Sequence, residues 1–456
     1  MPRYCSGVHM PSGRIRWLSD VIPPEQAGEL TALDEIKVAQ PPSGSLCLLC
    51  KGGRMLCGKL RCPIIAKAQS MARYNKLITS ENVEGSTPPG VFVGHIGYPK
   101  VYIGPMVPPY FGDTEILDTP ELWVGKTIDD IINYRFSLIR GKALASVYDA
   151  SAGGKLLDVL QELAMGTHPV DSEARFMRRP SGVISLSEDT QPFGPAAPLK
   201  SFKVSDVPVD QRIEQAFYDR DLKAVDAVTE LYNKGVLVTR IQRSFSIGMF
   251  GHAARRKLVP TRWSITAVDN ALSLYLIDRV KQHDTINEYR VYSFQYLDNY
   301  YVAILMPERW SYEWIEAWFP GTTWNPEKIG APALMGDYES YWGRKTYAGT
   351  GGCYYSCRLA VAEKLDRERR QASVLVLREI HPGYILPVGV WNVRESVRHA
   401  MKTEPQKFDT LQKALNYAST KLTIPLRKWI ENSEMLKRAL FQRKITDFKG
   451  IEDARA

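Results

Sequence analysis

Apolar residues recur at helical spacing in several long segments of the chain. Ile213, Ala216 and Phe217, for example, would share one face of a helix, because steps of three and four residues make about one turn. The same pattern predicts helices over residues 63–80, 156–165, 209–233, 267–280 and 407–440, the last of them interrupted near Pro425.

β-Branched and aromatic residues mark the predicted strands. Alternation over residues 289–306 predicts a hairpin that turns at Asp298 and Asn299, and the apolar run 374–377 predicts a short buried strand. Glycines divide residues 91–105 into two short strands joined by a tight turn. Residues 166–207 are rich in Pro, Ser and Gly, which predicts a long irregular connection. Helices and strands thus follow one another without a repeat, as in an α+β fold.

Length and composition set the first limits on function. The chain has 456 residues with 44% hydrophobic content, enough for a buried core and more than one domain. No apolar run approaches the roughly 18 residues of a membrane span, so we expect no membrane partner. The formal net charge of +9 favours polyanionic partners as a tendency.

Four cysteines, Cys47, Cys50, Cys57 and Cys62, lie close together near the N-terminus. The first pair has the two-residue spacing that lets one tight turn direct both sulfurs to a single ion, and the second pair can do the same from another turn. Four thiolates in a tetrahedron select zinc or an iron–sulfur cluster. The spacing therefore predicts a structural zinc site, because a closed four-cysteine set leaves no position for water.

Two alternatives to zinc remain at this point. An iron–sulfur cluster uses the same ligands. Two disulfides would suit an oxidising compartment, but we expect no signal peptide, and the seven cysteines are an odd number. The cysteine content therefore favours a reducing, cytoplasmic environment.

Two stretches contain cations and no acids. Between Glu35 and Glu81, and again between Glu230 and Asp269, the only charged residues are Lys and Arg. Such stretches favour contact with the phosphates of DNA, although a solvated basic face is the alternative. In the second stretch Lys257 and Arg262 are the predicted nucleic-acid contacts.

The pair Thr266 and Asp269 adds to the second basic stretch. It resembles a capping box, which predicts a helix N-terminus at Thr266 with free N–H groups for a phosphate. The alternative is a well-capped structural helix without a ligand.

Several polar side chains of the core are candidates for acid–base chemistry on a nucleic acid: Arg344, Tyr354, Glu379, His381 and Arg394. Glu379 and His381 alternate at the end of a predicted strand and would point to one face. Such groups could act together on damaged DNA or a nucleotide cofactor. Buried ion pairs are the alternative, and no motif in the chain is diagnostic of a nuclease, glycosylase or nucleotidyl transferase.

The C-terminal tail contains Gln442, Ile445 and Phe448, the spacing of a peptide that binds the DNA sliding clamp. One helical turn would place the aliphatic and aromatic side chains together in an apolar pocket, with the amide at its rim. Such peptides usually have a second aromatic residue, where this chain has Lys449. The alternative is a tail that docks on its own protein through Phe448.

These features predict the domain organisation. A Pro-rich stretch over 86–90 marks a border. We therefore expect a zinc-binding module over residues 1–85, a larger mixed α/β core over 86–400, a helical C-terminal extension over 401–440 and a flexible clamp-binding tail over 441–456.

Taken together, the four-cysteine run and three further segments resemble the archaeal Nre DNA repair proteins. The segments are Phe92–Pro99, Leu258–Asp269 and Gly352–Tyr355. The resemblance spans nearly the whole chain and includes the clamp-binding tail. It implies a cytoplasmic role in the repair of DNA damage together with the sliding clamp. It does not imply a particular enzymatic activity, so an enzyme that processes damaged DNA and a non-catalytic adaptor both remain open as hypotheses.

Overall fold

The computed structural model describes residues 50, 54–182, 193–327 and 329–442. These residues form two six-stranded sheets with helices packed on them, which confirms the predicted α+β class. No helix in this part of the chain is both long and apolar enough to cross a bilayer. The predicted border at residue 85 falls inside the strand Asn82–Thr87.

The helices come between and after the strands of both sheets. In chain order they are α1 (Pro63–Asn75), α2 (Ile128–Ser137), α3 (Asp149–Ala152), α4 (Lys155–Met165), α5 (Gln211–Tyr218), α6 (Ala224–Asn233), α7 (Val238–Ser246), α8 (Thr261–Val280), α9 (Gly352–Glu368), α10 (Trp391–Lys402), α11 (Leu411–Ser419), α12 (Leu426–Asn432) and α13 (Glu434–Phe441).

The first sheet is built from the N-terminal strands in the order β1-β5-β6-β4-β3-β2. All neighbouring strands are antiparallel except β4 and β6, which are parallel. The strands are β1 (Asn82–Thr87), β2 (Val91–Val93), β3 (Lys100–Val107), β4 (Ile139–Ser146), β5 (Val170–Phe176) and β6 (Ala196–Val204).

The second sheet has the order β10-β9-β11-β8-β7-β12, with β9 and β11 as its one parallel pair among the described strands. The predicted hairpin is confirmed, but its turn lies one residue earlier than predicted, at Leu297 and Asp298, because Asn299 already pairs with Tyr296 in the ladder. Both turn residues have positive φ, as a tight two-residue hairpin turn requires. The strands are β7 (Tyr289–Tyr296), β8 (Asn299–Met306), β9 (Ser311–Trp318), β10 (Ala333–Glu339), β11 (Ser373–Ile380) and β12 (Gln406–Phe408).

Strand β11 lies between two hydrophobic cores. Every residue of β11 is buried. Val374 and Val376 pack into the main core together with side chains of α8, α9 and the first sheet, whereas Leu375 and Leu377 pack into a second core formed with the C-terminal helices. A strand that is buried on both faces needs a continuous apolar run, because successive side chains point to opposite faces. The run 374–377 therefore correctly predicted a buried strand.

The predicted irregular connection over 166–207 is wrong, because the segment contains β5 and β6. Val170, Ala174 and Phe176 do alternate with exposed residues along β5. Ser172 interrupts the apolar pattern at an inward position, where its hydroxyl lies 2.6 Å from that of Thr87 on β1. A hydroxyl whose hydrogen-bond partner lies on a distant strand cannot be recognised as buried from the local spacing of apolar residues.

The single helix predicted over 209–233 is two helices, α5 and α6. The break follows from Asp219, whose carboxylate accepts the N–H groups of Asp221 and Leu222 at 3.0 and 2.9 Å. Such a local turn competes with helix propagation. The predicted helical segment 407–440 overlaps the end of the short strand β12 and contains three helices. The predicted interruption near Pro425 is confirmed, because α12 begins directly after Pro425.

The predicted helix start at Thr266 is also wrong. Helix α8 begins at Thr261, directly after Pro260, so Thr266 and Asp269 are buried inside the helix. Their spacing matches a capping box, but the backbone before them is already helical, and Asp269 is used in tertiary contacts. Consequently no free N–H groups for a phosphate occur at Thr266.

Two buried carboxylates attach the C-terminal helices to the second sheet. Glu313 on β9 accepts the N–H groups of Glu434 and Met435 at 2.7 and 3.0 Å, at the start of α13. Glu379 on β11 accepts the N–H groups of Thr423 and Ile424, the latter at 2.7 Å. Hydrogen bonds to an ionised acceptor are roughly twice as strong as neutral ones, so these contacts fix where the C-terminal helices lie.

We predict that Glu379→Gln lowers the free energy of unfolding by about 2–4 kcal/mol, because the amide loses the charge and one acceptor oxygen beneath buried N–H groups. Urea unfolding measures this loss. Hydrogen exchange at the amides of Thr423 and Ile424 should accelerate at the same time. Glu431→Gln on the exposed face of α12 is the matched control and should leave both readouts near the wild type. Unchanged exchange in Glu379→Gln would contradict the assigned role.

Candidate nucleic-acid interface

Lys257 and Arg262 lie on either side of the turn at which α8 begins. The segment between them is fixed by backbone bonds: the Leu258 N–H donates to the Val147 carbonyl at 2.8 Å, and the Val259 N–H donates to the Ser246 carbonyl at 2.8 Å. Arg262 is exposed in the first turn of α8. Within the described residues neither cation pairs with a carboxylate, so both charges remain for an external anion.

Aromatic side chains lie among these cations. The Lys257 ammonium is 4.7 Å from the ring centroid of Tyr148, and the rings of Tyr98 and Trp263 are 5.4 Å apart. Tyr98 and Tyr148 are 44% and 50% exposed, so their rings are accessible from solvent. We call Tyr98, Tyr148, Lys257, Arg262 and Trp263 the basic–aromatic patch. Cations that bind phosphates beside rings that stack on bases are typical of nucleic-acid contact surfaces.

The patch also affects nearby titrating groups. Burial, with a smaller contribution from Arg262, lowers the pKa of His95 below its usual value. His95 is therefore neutral at physiological pH and adds a hydrogen-bonding group rather than a charge. Burial and the neighbouring Tyr148 raise the pKa of Tyr98, so its hydroxyl stays protonated.

Three of the four predicted zinc ligands are in the described part of the chain, and Cys47 lies outside it. Cys50 and Cys62 are buried, and Cys57 is partly exposed. The Leu56 N–H lies 3.4 Å from the Cys50 sulfur, an amide contact that suits a thiolate ligand. In the described ranges no three His, Cys, Asp or Glu side chains are grouped as metal ligands. The three described cysteines thus do not form a ligand group among themselves in this structure.

The cysteine loop is packed against the turn that follows β9. Gly321 has a φ of +82°, and a Cβ placed there would lie 3.0 Å from the carbonyl oxygen of Gly58. Only glycine combines this conformation with so close an approach. The loop that contains Cys57 is thus positioned by the second sheet.

Arg394, one of the five candidates for catalysis, lies in a buried polar network. Its guanidinium pairs with the Asp269 carboxylate at 3.0 Å, and Asp269 also accepts hydrogen bonds from Gln242 and Ser356. Burial opposes the charge on Arg394, but Asp269 and Glu395 raise its pKa above the usual value. These contacts match the buried ion pair that was the alternative to catalysis.

The other four candidates form two further sets. Arg344 pairs with Asp337 at 2.8 Å and lies 5.0 Å from the ring centroid of Tyr354, so these two candidates are neighbours. The Tyr354 hydroxyl donates to Glu339 at 2.9 Å.

Glu379 and His381 are brought together, with 3.1 Å between His381 Nε2 and a carboxylate oxygen. In the described structure no contact joins this pair to Arg344, Tyr354 or Arg394. All five side chains have structural partners, so their geometry gives the enzyme hypothesis no support.

Of the predicted clamp-binding residues, only Gln442 is in the described part of the chain. It is exposed directly after the last residue of α13. Ile445 and Phe448 lie outside the described residues. Two cations missed in the sequence, Arg140 and Lys142, lie on β4 beside exposed aromatic residues. The sequence signal that could have identified them is their two-residue spacing, which places both side chains on one face of a strand.

Comparison with known proteins gives matches along most of the chain. The family model described as "Archaeal Nre, N-terminal" matches residues 56–325, and "Archaeal Nre, C-terminal" matches residues 339–448. The chain is 43% identical over 404 residues to the DNA repair protein NreB of Archaeoglobus fulgidus, covering 88% of this chain and 99% of that protein.

Two further relatives show a lower identity over a similar length. The DNA repair protein NreA of Archaeoglobus fulgidus is 35% identical over 408 residues, which are 89% of this chain and 99% of the relative. NreA of Haloferax volcanii is 35% identical over 386 residues, which are 82% of this chain and 91% of the relative. No solved structure matches the chain. The predicted family is thereby confirmed: the chain belongs to the archaeal Nre family.

Proposed function

We propose that this protein acts in DNA repair, that it binds DNA through the basic–aromatic patch, and that the sliding clamp recruits it through its C-terminal tail. The relatives named DNA repair proteins support the general role. The observation that supports DNA binding is the patch itself, where Lys257 and Arg262 have no carboxylate partner in the described residues and lie beside exposed rings.

Phosphate contacts account for most non-specific affinity for DNA, because each neutralised phosphate releases counterions. Arg262 lies in the first turn of α8, where the positive end of the helix dipole adds to its charge. In the acid-free stretch around the cysteines, the exposed Arg54, Arg73 and Lys76 would add further cations to the same role. Arg61 pairs with Asp129 instead, and Lys59 and Lys67 are buried.

We predict that Lys257→Ala and Arg262→Ala each weaken DNA binding and reduce the salt slope of log Kd by about one unit for each phosphate that is no longer neutralised. Fluorescence anisotropy with a labelled duplex and a labelled single strand, each titrated at several salt concentrations, measures both quantities. Lys413→Ala removes the same charge from the exposed face of α11 and should change neither. Wild-type binding that is independent of salt would refute phosphate contact.

For the cysteine cluster we propose one structural zinc ion bound by Cys47, Cys50, Cys57 and Cys62. Metal analysis should find about one zinc per chain, and cobalt exchange should give thiolate absorption. Cys57→Ser should lose the metal and lower the thermal midpoint, whereas Cys353→Ser, outside the cluster, should keep the metal. An iron charge-transfer band would favour the iron–sulfur alternative, and a folded metal-free protein with four reactive thiols would exclude both.

The proposed clamp contact rests on the tail sequence and on the exposed position of Gln442. Ile445 and Phe448 would fill an apolar pocket on the clamp, and Gln442 would bond at its rim. Because Lys449 replaces the usual second ring, an isolated tail peptide should bind with a Kd in the micromolar range, about −8 kcal/mol.

Calorimetry of the peptide 442–449 against the clamp of the same organism tests this assignment. Phe448→Ala should abolish measurable binding, because aromatic anchors contribute a large share of such contacts, whereas Lys449→Phe should tighten it. Calorimetry of the full chain with the same substitutions shows whether the tail of the intact protein can bind the clamp. Equal, weak binding by the wild-type and Phe448→Ala peptides would exclude clamp binding through this motif.

A further inference from the structure

The outer face of the first sheet presents aromatic and aliphatic side chains to solvent. Val101 and Ile103 of β3 are buried in the core, so the residue between them, Tyr102, points to the opposite face. Tyr102 is directly opposite Leu144 of β4, and the two side chains are 41% and 62% exposed. No described element therefore covers this part of the sheet.

Cations alternate with rings across the same face. The Arg140 guanidinium lies 5.6 Å from the ring centroid of Phe92 and 4.4 Å from that of Phe193, which is itself 41% exposed. Lys142, two residues along β4, lies 5.9 Å from the ring centroid of Tyr102. Two cations of β4, Arg140 and Lys142, thus each lie beside a ring that belongs to β2 or β3.

The positive charge of these two cations is not neutralised within the described residues. Neither Arg140 nor Lys142 forms an ion pair there, and the Arg140 Nε has no hydrogen-bond partner. Burial and Arg135 lower the pKa of Arg140 to about 10, and burial, Arg140 and Arg178 lower that of Lys142. Both side chains remain cationic at neutral pH, and they repel one another. A bound anion would relieve this repulsion.

The face is continuous with the basic–aromatic patch. From Arg140, strand β4 continues to Ser146 and leads directly into Val147 and Tyr148. Lys100 at the start of β3 is opposite Ser146, and Tyr98 comes two residues before it. A polyanion that contacts Lys257 and Arg262 can thus extend along the strands toward Arg140.

We propose that the outer face of the first sheet, formed by Phe92, Tyr102, Arg140, Lys142 and Phe193, binds single-stranded DNA. This inference rests on the proposed function and names its substrate. Exposed rings on a sheet can stack on unpaired bases, while Arg140 and Lys142 contact the backbone between them. The bases of a duplex are already stacked on one another, so a duplex would use the cations but not the rings.

Two substitutions at Tyr102 distinguish a loss of base stacking from a loss of folding. Tyr102→Val removes the ring but keeps a strong strand former at an exposed strand position, whereas Tyr102→Phe keeps the ring. In the full chain, Tyr102→Val should weaken binding to a labelled single strand by roughly 5- to 100-fold, and Tyr102→Phe should bind as the wild type does. Duplex of the same sequence should bind both variants equally. Tyr218→Val, at an exposed ring on α5, is the control.

Two further measurements identify the contacts directly. Lys142→Gln should lower the salt slope for the single strand by roughly 0.7, the value for one phosphate contact. Photo-crosslinking of an oligonucleotide that contains 5-iododeoxyuridine, followed by mass spectrometry, should label Phe92, Tyr102 or Phe193.

The outcomes distinguish this inference from the proposed function. If Tyr102→Val and Lys142→Gln bind the single strand as the wild type does while Arg262→Ala is impaired, DNA binding stands and the sheet face is excluded. If the wild type binds neither DNA form, the proposed DNA-binding function itself fails. Tighter binding to duplex, or to RNA of the same sequence, would overturn the assignment to single-stranded DNA.

Discussion

The burial of β11 on both of its faces is the constraint on which the rest of this structure depends. Its valines pack into the core shared with the first sheet, and its leucines pack into the core beneath the C-terminal helices. Pairing in parallel with β9 and antiparallel with β8 satisfies its backbone groups. A strand in this position cannot shift by one residue, because the shift would exchange its two sets of side chains between different cores.

Buried charges complete the packing around this strand. Arg378 of β11 pairs with Glu316 of β9, and the next residue, Glu379, accepts the N–H groups that precede α12. Arg358 pairs with Glu339, and Arg394 with Asp269. Removing one partner of such a pair leaves an uncompensated charge in the core and is strongly destabilising. The charges therefore fix α9 against β10 and α10 against α8.

The division between paired and unpaired charges is relevant to function. The polar residues that the sequence suggests for chemistry are mostly inside these pairs, whereas four cations without a carboxylate partner in the described structure are at least partly exposed. Arg140, Lys142, Lys257 and Arg262 lie along one connected surface that includes β4 and the start of α8. Exposed aromatic side chains occur in the same places. The protein thus separates structural charges, which are buried and paired, from charges available to a polyanion.

The sequence by itself determined the features that depend on local pattern. The buried strand β11, the hairpin of β7 and β8 and the helix that ends at Met165 all follow from residue spacing, although the hairpin turns one residue earlier than the sequence predicts. The α+β class and the family could also be inferred from the chain alone.

Only the tertiary structure decided which polar residues are partners. Ser172 interrupts the apolar alternation of β5, because its hydroxyl is hydrogen-bonded to Thr87 of another strand. Asp269 has the spacing of a helix-capping residue, but it lies inside α8 and pairs with Arg394. Glu379 looked available for chemistry, yet it accepts N–H groups 44 and 45 residues away. In each case the partner is distant in sequence, and the free energy of a buried polar group depends on that partner rather than on its neighbours.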